Sequence, residues 1–172
     1  MSSEQLFSQA CDLTDFLDFL SGCLKRQNRR KIDNFYKTQQ HTAMKIYPGQ
    51  SACPHFNQGV ALTIGNFDGV HLGHCQILRQ LRQAADKRGL PTAIMLFEPQ
   101  PLEYFARIRH SERPFRLTPL RDKLQLLQNG GFIDGAWVLR FNQTFATHTA
   151  DDFVQKILIN SLNIKYLLVG DD

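Results

Sequence analysis

Two histidines three residues apart, His71 and His74 in "GNFDGVHLGH" (65–74), stand where a β-branched apolar run gives way to an amphipathic one. If a helix begins there, both imidazoles lie in its first turn and can face one ligand. The unpaired amides of such a turn, and the partial positive charge they carry, suit an anion such as a triphosphate. Gly73, between the histidines, permits close approach of a ligand to the backbone, and Gly65 and Gly69 permit the turn that leads in. By spacing alone the pair also fits a solvated helix end or half of a metal site. Asp68 equally fits a turn former that bonds its own neighbours. Position at the end of a strand favours the ligand. Neither GxGxxG nor GxxxxGK[ST] occurs, which disfavours hydride transfer on a dinucleotide and P-loop phosphoryl transfer.

The surrounding chain alternates between two periodicities. "VALTIGN" (60–66) reads as a buried strand. The stretch 71–89 reads next as a helix with Ile77, Leu78, Leu81, Ala84 and Ala85 on one face and Gly89 as its stop. "PTAIMLF" (91–97) is a second strand. Thr118 and Pro119 are predicted to cap and open a helix carrying Leu120, Leu124 and Leu127 to a stop at "NGG" (129–131), before a third strand, "GAWVLRF" (135–141). Thr149 and Asp152 resemble a capping box with Asp in place of Glu, opening "ADDFVQKILINSLN" (150–163), and "KYLLVG" (165–170) makes a fourth strand. Strands alternating with helices predict an α/β fold, a Rossmann-like doubly wound parallel sheet whose ligands bind beyond the carboxyl ends of the strands. His71 and His74 then lie at the ligand edge.

Composition narrows the setting. A chain of 172 residues with 42% hydrophobic and 21% charged residues is ordinary for one globular domain, and no apolar run approaches the ~20 residues of a membrane span. The formal charge of +4 is mild and, apart from "KRQNRRK" (25–31), the basic residues are scattered, so neither nucleic acid nor a membrane is an expected partner. Cys11, Cys23, Cys53 and Cys75 form no CxxC pair, and Cys53 and Cys75 with His71 and His74 match no familiar zinc module, so no metal site is expected. The start lacks a secretory pattern, which points to a reducing cytoplasm. Residues 1–43 read as a separable extension, with apolar residues at 6, 10, 13, 17, 20 and 24 in helical spacing and then a basic polar stretch. Met44 looks like a natural start, so the domain is expected over 44–172.

In order and approximate spacing, "TIGNFDGVHLGH", "FEPQPLEYF", "RLTPLRDKLQLL", "FNQTFATHTADDFV" and "LLVGDD" resemble the FAD synthetase (FMN adenylyltransferase) module of bacterial bifunctional riboflavin kinase/FAD synthetases, over about Met44 to Asp172. His-x-Gly-His alone is shared with other nucleotidyltransferases, but "GNFDG" before it and "FEPQP" after it are specific to the flavin branch. The resemblance implies a nucleotidyltransferase-type sheet, ATP and FMN as substrates with Mg²⁺ accompanying ATP, and a riboflavin kinase domain in the full-length protein. It implies that His71 and His74 engage the ATP phosphates, that Gly65, Asn66, Phe67, Asp68, Gly69 and Gly73 form the adjoining loop and helix entrance, and that Asp172 lies near the nucleotide. It also implies a flavin-side loop carrying Phe97, Pro99 and Pro101, the prolines fixing it extended.

Three departures accompany the match. Cys75 stands where the family often has Gln, and "THTADD" where it often has Leu-Ser-Ala. The family also continues past the equivalent of Asp172 to a Ser-Ser-Thr…Arg motif that completes the ATP site. The resemblance therefore implies a sheet incomplete at its C-terminal end and at most a trace of FMN adenylyltransferase activity for the 172 residues as written. A non-catalytic remnant, or another His-x-Gly-His nucleotidyltransferase, are the other readings.

Overall fold

The computed structural model describes residues 43–49 and 56–170, all of them within one unit of the chain, Thr42–Asp172. The expected extension and its helical turns lie outside the described residues, Ala43 excepted, as do Cys53 and Asp172.

Five strands form one sheet: β1 (Lys45–Pro48), β2 (Val60–Ile64), β3 (Thr92–Glu98), β4 (Gly135–Arg140) and β5 (Ile164–Leu168). Their spatial order is β1-β4-β3-β2-β5 and every pairing is parallel. Four of these strands were legible as apolar runs. β1 was not: "KIYP" is too short and too exposed to carry a pattern, and it is recognisable only by its pairing with β4.

Helices connect the strands: α1 (Leu72–Asp86), α2 (Pro101–Ile108), α3 (Leu120–Gly130), the short α4 (Gln143–Ala146) and α5 (Ala150–Asp152), which widens into a π-type helix over Phe153–Ser161. Side chains alternate across the sheet, as the strand period of two requires. Val60, Leu62, Ala93, Met95 and Trp137 join Tyr104, Phe145, Ile157 and Leu158 on one face. Ala61, Ile94, Leu96 and Ala136 join Leu78, Leu81 and Leu127 from α1 and α3 on the other. Both faces are thus covered by helices, the doubly wound arrangement predicted. No helix among the described residues is long and apolar enough to cross a membrane.

Two local expectations are corrected. Thr118 does not cap α3, whose N-cap is Pro119; its hydroxyl is drawn instead into bonds with Asp68 and Gly69. "FEPQP" is not an extended loop either, because α2 starts at Pro101, whose fixed φ is pre-set for a first helical position. Gln100 and Glu103 complete a capping box there, the Gln100 amide donating to Glu103 Oε2 at 3.0 Å. The expected cap at Thr149 holds: its hydroxyl accepts from the Asp152 amide at 3.1 Å.

Candidate active site

Chain order turns back between β2 and β5: from β2 the chain crosses to β3 on one side, and from β4 it returns to β5 on the other. Thr63 pairs with Leu168, so the two strands end level and their outgoing loops emerge at one crevice, the usual ligand position in such sheets. α1 is pinned with its entrance at that edge. Arg82, near its other end, bonds the Phe132 carbonyl at 3.0 Å and Asp134 at 2.9 Å, by the amino ends of β3 and β4.

His71 is the N-cap of α1 and His74 its third residue, and they cap the helix for each other. The His71 side chain accepts from the His74 amide, while His74 Nδ1 accepts from the His71 amide at 3.2 Å. The rings stack with centroids 3.6 Å apart at 25°. A ring nitrogen that accepts from an amide carries no proton, so in the neutral ring the other nitrogen must. The bond that His74 Nδ1 accepts therefore places the proton of its neutral ring on Nε2. The first helical bond runs from the Cys75 amide to the His71 carbonyl, so the amides of Leu72 and Gly73 are left for ligand or solvent. Gly73 leaves room for the His71 ring, which a Cβ there would meet at 3.3 Å.

The loop before the helix is held from below. Phe67 is buried, adopts a left-handed conformation (φ 47°, ψ 40°), and sets its ring 4.7 Å from that of His74. Gly65 makes room for that ring, since a Cβ would meet it at 3.0 Å. Asp68 does not bond its own neighbours. Its carboxylate accepts from the Leu117 amide at 2.7 Å and from the Thr118 amide and hydroxyl at 2.9 Å each, while Thr118 Oγ1 accepts from the Gly69 amide at 3.0 Å. Asp68 is thus a tether between the loop and the segment before α3.

Partial burial raises the Asp68 carboxyl, but the Leu117 and Thr118 donors outweigh it and hold the group below its ordinary 3.8. A carboxyl so depressed stabilises the fold above its unfolded-state value and loses that contribution as pH falls through the lower folded value. Weakening of the tether is therefore expected only below about pH 4, and at under ~1 kcal/mol because the group is largely solvated. In thermal melts at stepped acid pH, Asp68→Asn should flatten this limb; an unchanged limb would show that the tether adds nothing to stability.

Three residues of "RLTPLRDK" complete the neighbourhood: Thr118, expected only as a helix cap, and Arg116 and Lys123, for which the sequence suggested no role. Arg116 bridges Glu98 at the end of β3 and Glu103 on α2, with Nη1 to Glu98 Oε2 at 3.0 Å and Nε to Glu103 Oε1 at 2.8 Å. Burial works against its charge, but hydrogen bonds to the two carboxylates prevail and hold it protonated more firmly than an ordinary arginine. The signal of Arg116 was a charge pattern, one arginine and two glutamates clustered around a strand end, which becomes visible only once β3, α2 and the 111–118 segment are brought together.

Of the residues expected on the flavin side, Pro99 lines an open cleft of about 380 Å³ together with Tyr104, Arg107 and Arg113. Phe97 instead belongs to β3 and packs on Phe145 and Phe141, with centroids 5.2 and 5.8 Å away, and Pro101 begins α2. Cys75, a free thiol beside the histidine pair, is pushed up by burial.

A model of the FAD synthetase family matches residues 53–172. The chain is 51% identical over 115 residues to the bifunctional riboflavin kinase/FMN adenylyltransferase of Haemophilus influenzae, covering 67% of this chain and 36% of that protein. The protein of the same name from Escherichia coli K12 is 49% identical over the same length and shares. That from Buchnera aphidicola of Schizaphis graminum is 40% identical over 129 residues, 75% of this chain and 40% of that protein. The chain therefore spans between a third and two fifths of the length of these relatives. A crystal structure described as a macrolide-efflux protein from Streptococcus pneumoniae superposes with a TM-score of 0.60 at 24% identity, covering 75% of this chain and 43% of that one, a likeness of fold alone. Matched by the family model over its α/β domain, the chain belongs to the FAD synthetase family.

Proposed function

We propose that this domain transfers the adenylyl group of ATP to FMN, giving FAD and pyrophosphate. The observation that carries the reading is the stacked, mutually capped histidine pair at a helix entrance on the carboxyl edge of a parallel sheet. An oxygen of the FMN phosphate attacks the α-phosphorus of ATP, the bond from that phosphorus to the bridging oxygen breaks, and pyrophosphate leaves with the electron pair. The nucleophile is already ionised, so the step needs alignment and charge stabilisation rather than a strong base. His71 and His74 donate to phosphate oxygens that gain charge, and the free amides of Leu72 and Gly73 and the positive end of α1 add to the same field.

Magnesium belongs to the substrate, as MgATP. The oxygens of Asp68, the acidic side chain in the loop, already accept three hydrogen bonds. On this reading residues 44–172 carry the adenylyltransferase part, 1–43 are an extension, riboflavin phosphorylation belongs to a kinase domain of the full-length protein, and the free Cys75 suits a reducing cytoplasm.

Incubation of the purified chain with FMN and MgATP should yield FAD and pyrophosphate in equal amounts, at no more than the trace rate expected of these 172 residues, and no FMN from riboflavin. Chromatographic separation of the flavins checks this. Absence of FAD together with absence of ATP binding would overturn the reading.

A further inference from the structure

Lys123 lies mid-way along α3, 3% exposed, on the face it shares with Leu120 and Leu127, where a leucine or methionine would satisfy packing. Burying an ammonium there is costly. Burial, and then the nearby Arg116 charge, push it below an ordinary lysine, against the pull of Asp68, Glu98 and Glu103. Its Nζ donates to one backbone acceptor, the Asn66 carbonyl. That carbonyl belongs to the peptide joining Asn66 to Phe67, and a trans peptide holds its C=O and N–H in opposite directions. With the carbonyl turned toward α3, the Phe67 N–H points away from it. Phe67 is itself in the left-handed region, and successive amides around such a residue form a concavity that favours anions.

We propose that Lys123 is a positioning residue: its bond to the Asn66 carbonyl sets the Asn66–Phe67 peptide so that the Phe67 amide joins His71 and His74 in holding the ATP phosphates. This rests on the reading of 65–74 as a phosphate site and adds the residue on α3 that shapes it. A purely structural lysine would leave phosphate affinity alone once packing was preserved.

The test uses the 172-residue chain with Lys123→Met, which keeps length but removes charge and donor, and Lys123→Gln, which keeps a donor without charge. Backbone amides are followed by NMR before and during titration with MgATP, beside thermal melts. Lys123→Met is expected to move the Asn66 and Phe67 amide resonances in the ligand-free chain and to weaken ATP binding about tenfold or more, with the melting point at or above the parent's. Lys123→Gln should regain most of the affinity. Parental affinity in Lys123→Met, or no recovery in Lys123→Gln, overturns the proposal. If the parent chain binds no ATP, the phosphate reading fails and the lysine is judged by the ligand-free spectra alone: displaced Asn66 and Phe67 amides uphold its hold on the loop, and unmoved ones overturn it.

Discussion

In a version extended through the family's Ser-Ser-Thr…Arg motif, replacing His71 or His74 with alanine is expected to slow FAD formation by ~10²–10³-fold, the ~3–4 kcal/mol typical of one lost donor to an oxyanion. Alanine also removes half of a reciprocal cap, which by itself costs a helix about 1 kcal/mol, so a slow and less stable variant would not separate the two roles. His71→Asn and His74→Gln do. Asparagine is a favoured N-cap acceptor and glutamine a natural third residue of a capping box, so both can keep the helix entrance closed. They should melt near the parent yet remain nearly as slow as the alanine variants, because neither places an imidazole N–H where the ring had it. The stacked rings act as a unit, so the double alanine variant should be little slower than either single one. Rates of FAD formation and melting points, measured side by side, decide the matter. Recovery of rate in the asparagine and glutamine variants would reduce the histidines to caps, and the mechanism would have to be abandoned.

The difference between the parts that were legible in the sequence and those that were not comes from how far each interaction reaches along the chain. β2, α1 and β3 were visible because their apolar periodicity is local, and the histidine pair because three-residue spacing at a strand end has a geometric meaning wherever it occurs. Family resemblance then pointed to the substrates proposed. The support of the site is not local. Asp68 meets Leu117 and Thr118 across 49 and 50 positions, and Lys123 meets Asn66 across 57. Read in place, Asp68 looks like a turn former, Thr118 like an N-cap and Lys123 like one more solvated lysine on an amphipathic helix. Only the crossing of α3 under the loop after β2 turns them into a tether and a prop. α2 was missed for a different reason, since two prolines in five residues argue for an extended segment unless the second happens to fall at a helix's first position.

That hidden support makes Arg116 the residue whose loss should destabilise the domain most among those around the site. Its guanidinium, 18% exposed, lies between the carboxylates of Glu98 and Glu103, exposed by 37% and 19%. Removing the cation from a buried pair costs ~3–5 kcal/mol, because the partner charges stay behind unpaired; the solvation of Glu98 lowers that to roughly 2–3 kcal/mol. For a domain of this size Arg116→Met should therefore lower the melting point by about 5–12 °C. Two controls separate electrostatics from lost packing. Adding Glu103→Gln to Arg116→Met removes one of the two facing charges and should recover about half of the loss. Arg116→Lys, which keeps a cation between the two carboxylates, should lose less than Arg116→Met. Arg116 also anchors the segment whose Leu117 and Thr118 hold Asp68, so ATP affinity should fall with stability in Arg116→Met and return with it in the double variant. A melting point within ~2 °C of the parent would show that the 116–118 segment is held without its arginine, and that the anchorage of the loop lies in the Asp68 and Lys123 bonds alone.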